Sequence, residues 1–223
     1  MLSRLPPWIE YGAFTLALLA GTVNAVGLLG FQHQSVSHLS GSATLFGVEL
    51  STLGASSWHL LAILLSFLLG AIISGTVLSS PSVKLGRHYD SLLMAEGVLL
   101  LLAIYMLRGH ALWGHYLASM ACGLQNAMVT NYSGAIIRTT HVTGIFTDLG
   151  LMIGAAIRGE KFDKRKCILF LLVLTGFIVG GILGALLFAH YGFMALLLPV
   201  AICFVLAFGY RVYLYAQNNT RDL

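Results

Sequence analysis

Six separate runs of apolar residues, each near the length a helix needs to cross a bilayer, constrain this chain more than any other feature. They cover about Trp8–Phe31, Trp58–Leu78, Ser91–Leu107, Ala111–Asn131, Cys167–Ala189 and Phe193–Tyr215. A spanning helix needs about 20 mostly apolar residues, because every backbone amide must find its partner within the helix. Two further segments, Leu39–Gly54 and Val142–Ile157, are weaker. Each opens on small polar residues and carries an acid, Glu49 in one and Asp148 in the other. Such segments are expected to be discontinuous or re-entrant rather than ordinary spans.

Composition closes the soluble alternative. Only 9% of residues are charged and 58% are hydrophobic, against about 25% charged in a typical soluble domain. So few charges cannot cover a water-facing surface. The net charge of +4 does not point to nucleic acid, since the basic residues sit in short connections, where they act as topology signals. Cys122, Cys167 and Cys203 have no paired spacing and read as small core residues. No CxxC, HExxH or phosphate-binding loop is present. The sequence therefore names no catalytic residues, no metal site and no cofactor, and an enzyme is not expected.

The chain also repeats itself. Gly21-Thr22-Val23-Asn24-Ala25 recurs as Gly123-Leu124-Gln125-Asn126-Ala127, 102 residues on. Ser37-His38-Leu39-Ser40-Gly41-Ser42-Ala43-Thr44 recurs as Thr140-His141-Val142-Thr143-Gly144-Ile145-Phe146-Thr147, 103 residues on. Phe67 and Gly70 match Phe177 and Gly180, and His88-Tyr89 matches His190-Tyr191. Hydrophobicity alone would not reproduce the polar members, so two copies are expected, residues 1–107 and 108–223.

Whether the copies share an orientation depends on the weak segments. If those segments span, each copy crosses four times and the two are parallel; if they enter and return, each crosses three times and the two are inverted. With six spans and a cytoplasmic N-terminus, Arg4, Lys84, Arg87, Arg138, Arg158, Lys161, Lys164, Arg165, Lys166 and Arg211 fall on the inner side, leaving Arg108 alone outside. Eight spans would put Lys84, Arg87 and Arg138 outside. The positive-inside bias favours six.

The repeated polar motif is the candidate site. Ser or Thr ahead of a helix can cap its first turn, glycine permits close approach, and a helix N-terminus suits an anion. Broken helices at corresponding places of two inverted repeats are a common way to build a solute site. Asn24, His38, Ser40, Gly41, Thr44 and their counterparts Asn126, His141, Thr143, Gly144, Thr147 are the expected solute-binding residues. Structural glue between helices is the plainer role for the two asparagines. Asp148, Glu49 and Glu96 are the expected proton-handling acids, because ionisable groups at membrane depth are costly. His33, His59, His110 and His115 are assigned ordinary interfacial roles, and Gly70/Ser74 and Gly176/Gly180/Gly184 close helix packing.

At Gly123-Leu124-Gln125-Asn126-Ala127 followed by Thr139-Thr140-His141-Val142-Thr143-Gly144, the sequence resembles the YoaK-type family of bacterial multi-pass inner-membrane proteins. The resemblance covers nearly the whole chain. It implies a bacterial inner membrane and about six spans, and it implies no substrate, the family being a domain of unknown function. The first half departs from the pattern: relatives often carry an acid where Asn24 stands and a Thr-Gly-Asn run where this chain has Ser40-Gly41-Ser42.

The expectation is an all-α polytopic membrane protein of two inverted repeats, each with three transmembrane helices and one discontinuous or re-entrant segment. Both termini are placed in the cytoplasm. The leading function is a small secondary transporter or channel-like carrier for a small polar solute, with a lean toward an anion and toward proton coupling. A non-transporting membrane scaffold or partner subunit is the alternative. Membrane lipids are the expected partners, nucleic acid is excluded, and a homo-oligomer is left open.

Overall fold

The computed structural model describes residues 8–30, 36–52, 54, 56–78, 88–132 and 139–219. Arg4, His33, Lys84, Arg87 and Arg138 lie outside these residues. Every element among the described residues is helical: α1 (Trp8–Gly30), α2 (Leu39–Ser51), α3 (Ser57–Val77), α4 (Tyr89–Arg108), α5 (Trp113–Tyr132), α6 (Val142–Ile157), α7 (Lys164–Tyr191) and α8 (Leu197–Asn219). A short 3-10 turn, Gly192–Leu196, links the last two. The apolar runs thus become helices, and the two weak segments become the two shortest, of 13 and 16 residues.

Four stretches are long and apolar enough to cross a membrane: Glu10–Gly30, Ser57–Val77, Tyr89–Arg108 and Lys164–Ala216. The last has 53 residues, about 80 Å if it were one helix, far beyond a hydrocarbon core of about 30 Å. It breaks at Gly192, whose φ of 56° is costly for any residue with a Cβ. The expected span Ala111–Asn131 does form a helix, α5, but it does not reach the same apolarity. It carries His115, Ser119, Gln125, Asn126, Thr130 and Asn131, and His115, Ser119 and Gln125 are buried against neighbouring helices.

Helix pairing follows the glycines. A Cβ on Gly21 of α1 would land on the carbonyl oxygen of Phe177 in α7, and one on Gly180 of α7 would land on that of Leu18. Likewise, a Cβ on Gly123 of α5 would land on the carbonyl oxygen of Phe67 in α3, and one on Gly70 would land on that of Met120. Residues matched by the duplication therefore make matching contacts, each joining a helix of one copy to a helix of the other. The missing side chains let the backbones touch, as in small-residue packing of membrane helices. Gly176 and Gly184 extend the α1–α7 seam.

Contacts along the helices set their directions. Glu10 pairs with Arg165 and Gly30 meets Phe188, so α1 and α7 run parallel. His59 meets His115 and Phe67 meets Gly123, so α3 and α5 also run parallel. Asp90 pairs with Arg211, Gly97 packs on Phe204, and the C-terminus of α4 lies beside Leu197, so α4 and α8 run antiparallel. One end of the bundle holds Asp90 and Arg211, and the other holds Arg108. Large apolar side chains face outward along α3, α7 and α8, including Leu65, Leu68, Ile72, Ile178, Ile182, Leu186 and Phe208. A water-facing surface rarely carries so continuous an apolar cover.

Candidate functional site

The duplicated motif folds into two corners of the same design. Ser37 Oγ donates to Asn24 Oδ1 at 2.7 Å, and Thr140 Oγ1 donates to Asn126 Oδ1 at 3.3 Å. Each asparagine stands six residues before the end of its long helix, about 9 Å along the axis, and ties down the residues that precede the short helix. Chain direction places the two corners toward opposite ends of the bundle. The C-terminus of α1 and the N-terminus of α5 lie at the Arg108 end, since Gly30 meets Phe193 and Gly114 meets Leu107.

The expected caps are not made. His38 and His141 are the N-cap residues of α2 and α6, and neither helix receives a side-chain cap bond. Ser37 and Thr140, the hydroxyls one residue earlier, are spent on the asparagines. Ser40 and Thr143 lie inside the first turn, where their carbonyls accept from Thr44 Oγ1 at 2.9 Å and Thr147 Oγ1 at 3.0 Å. Nor do the motif glycines bring chains together. A Cβ on Gly41 would meet only the His38 ring at 3.7 Å, and one on Gly144 would meet the ring of His141. Ser40, Gly41, Thr44, His141, Thr143 and Thr147 are all exposed in the protein itself. Asn126, with Ala71, Ala127, Thr130 and Asn131, lines an open groove.

The three acids separate. Asp148 is about half exposed, with Lys166 Nζ 4.0 Å away. The Glu49 carboxyl folds against Gly54 at the exit of α2. Glu96 alone is enclosed by protein, 1% exposed. It forms a side-chain hydrogen bond with Cys203 of α8, and its Oε2 has no partner. Cys122 and Cys203 are buried, as core residues should be, whereas Cys167, in the first turn of α7, is only partly buried. No cluster of three or more His, Cys, Asp or Glu suited to a metal occurs among the described residues.

Gln125, beside Asn126 in the repeated run, donates to the Leu16 carbonyl at 3.2 Å. Ser119 lies within hydrogen-bond distance of the Val36 and Ile63 carbonyls, at 3.1 and 2.9 Å. It anchors the entry to α2 against α3 and α5.

One feature escaped sequence reasoning. His59 Nε2 lies 3.2 Å from His115 Nδ1, and His59 Nδ1 lies 2.9 Å from the Tyr116 hydroxyl. The positions matched by the duplication on the α1–α7 seam are Leu169 and Ala13, both buried in an apolar cluster. The two seams share their glycines and differ here, one closed by a polar chain and the other by apolar contact. The signal would have been that mismatch between otherwise equivalent positions.

All-helical among its described residues, with four stretches fit to cross a membrane and Glu96, His115, Ser119 and Gln125 buried between helices, the chain has the make-up of a multi-pass membrane protein. It belongs to the family described as protein of unknown function (DUF1275), whose model matches residues 12–209. This is the family to which the YoaK-type resemblance pointed. No curated protein and no solved structure matches the chain.

Proposed function

We propose that this protein is a small carrier for a small polar solute in a bacterial inner membrane, built from two inverted copies. The observation that carries this reading is the pair of matched polar corners, Asn24–Ser37 and Asn126–Thr140. Each lies at the foot of a short helix, within a chain whose residues are 58% hydrophobic. The directions of α4 and α8, which occupy matching places in the two copies, support inversion. Support for re-entry comes from α2, which starts beside Asn24 and ends beside the N-terminus of α3, at the end where α1 finished. In this reading the solute passes from one corner to the other, touching Asn24 with His38 and Asn126 with His141. Among Glu49, Glu96 and Asp148, Glu96 is the one enclosed by the helices and so the best placed to exchange a proton along the way.

A melting screen of the purified full chain against formate, acetate, phosphate, sulfate, glycerol and neutral amino acids tests the reading. A bound solute at a hundred times its Kd adds about 2.7 kcal/mol to apparent stability, visible as a rise in Tm. The same solute should then enter proteoliposomes only when the protein is present. A solute-independent Tm with no uptake of any of these compounds would set the carrier aside in favour of a scaffold.

The positive-inside bias places both termini in the cytoplasm, with six crossings. In a background lacking the native cysteines, Lys84→Cys and Phe162→Cys should resist a membrane-impermeant thiol reagent added outside, and His110→Cys should react. Outside labelling of Lys84→Cys would replace six crossings by eight.

A further inference from the structure

The described lysines and arginines are unevenly placed. Arg158, Lys161, Lys164, Arg165, Lys166 and Arg211 all gather at the end where α7 begins and α8 finishes, and four of them face acids there: Glu160, Glu10, Asp148 and Asp90. Arg108 is the one described cation at the opposite end. It closes the last turn of α4, and its side chain makes no ion pair or hydrogen bond with the described residues. Topology signalling does not call for a cation on that side.

Arg108 stands on the rim of a groove between the C-terminal turns of α4 and the start of α8. Leu101, Ile104 and Tyr105 line it from α4, with Met194 and Leu197 from the chain leading into α8. Leu101, Tyr105, Met194 and Leu197 are all exposed, Tyr105 by 74%. An apolar trough, an aromatic ring and one guanidinium without an ion-pair partner among the described residues thus meet at the end of a helix long enough to cross a membrane. That is the depth at which phosphates of lipid headgroups sit, and tyrosine favours the same layer. A guanidinium grips phosphate through paired N–H donors. A single net positive charge prefers a lipid with net charge −1 over a zwitterion.

We propose that this groove is a binding site for one anionic phospholipid, its phosphate on Arg108 and an acyl chain along Leu101, Tyr105 and Leu197. The site is separate from the polar corners and does not depend on transport.

Native mass spectrometry of the full chain in detergent, titrated with phosphatidylglycerol or phosphatidylethanolamine of identical acyl chains, tests it. The wild type should retain one phosphatidylglycerol about fivefold more readily, the preference expected from one cation at the headgroup layer. Arg108→Gln should bind both lipids alike, while Arg108→Lys keeps most of the preference. Leu101→Trp should block the trough and lose the bound lipid with its charge still in place. Lys164→Gln, at the other end, should behave as wild type. Equal binding of both lipids by the wild type overturns the proposal. So does retained preference in Arg108→Gln, or its loss in Lys164→Gln, which would move the site to the other end. Should Arg108→Gln fail to fold, Leu101→Trp and Lys164→Gln decide alone.

Discussion

Gly70→Ala and Gly180→Ala are each expected to cost about 3 kcal/mol, the upper range for forcing an extra carbon into a packed interior, and to remove most of the folded protein. The new Cβ would overlap the carbonyl oxygen of Met120 or Leu18, and a backbone atom cannot rotate away as a side chain can. Gly75 and Gly181 provide controls on the same two helices, because a Cβ at either meets nothing within 4 Å. Gly75→Ala and Gly181→Ala should be neutral, or stabilise by up to about 1 kcal/mol through helix propensity. Folded yield on size exclusion and Tm in detergent measure all four. Equal losses in all four would mean that the α1–α7 and α3–α5 seams are not the contacts that hold the bundle.

Replacing the corner asparagines should separate fold from function. Asn126→Leu and Asn24→Leu each remove the acceptor for a hydroxyl, Thr140 or Ser37, at a cost of about 1 kcal/mol in stability. Solute binding should fall by far more, at least about tenfold, because the same amide is asked to orient the solute and the loss of a polar contact in a desolvated site is severe. Asn24→Asp keeps the acceptor oxygen and should fold with normal yield. Gly41→Val should fold too, since a Cβ there meets only the His38 ring, at an ordinary contact distance of 3.7 Å. Its effect on binding therefore reports on the solute and not on packing. Solute-induced Tm shifts, read beside folded yield in one preparation, provide both quantities. Leu variants that bind normally once folded would reduce the corners to structural ties.

The resemblance to an uncharacterised family was legible in two short runs of the chain, and the family match over residues 12–209 agrees with it. That membership brings no substrate, so the site must be argued from its geometry.

Sequence by itself determined where the helices lie. Lys164–Tyr191 and Leu197–Asn219 fall within a few residues of the apolar runs because a chain in lipid has no other way to satisfy its amides. It also determined the duplication, since polar residues such as Asn24 and His38 recur in order 102 or 103 residues on, which apolar composition does not explain. What it left undecided is which face of each helix is inside. In water the apolar stripe marks the core, but helices facing lipid are apolar all round, so Gly70 and Gly75 read alike although only the first touches a neighbour. Only the tertiary structure decided that the copies pair across each other, α1 with α7 and α3 with α5. Only it closed one seam with His59 and His115 and the other with Leu169 and Ala13, enclosed Glu96 while leaving Asp148 beside Lys166, and turned the hydroxyls of Ser37 and Thr140 from caps into ties. Each of these depends on what lies opposite a residue: across the seams the partner is 56 to 158 positions away, and even Ser37 and Thr140 find theirs 13 and 14 positions back, beyond the three or four residues over which a helix pattern reads neighbours.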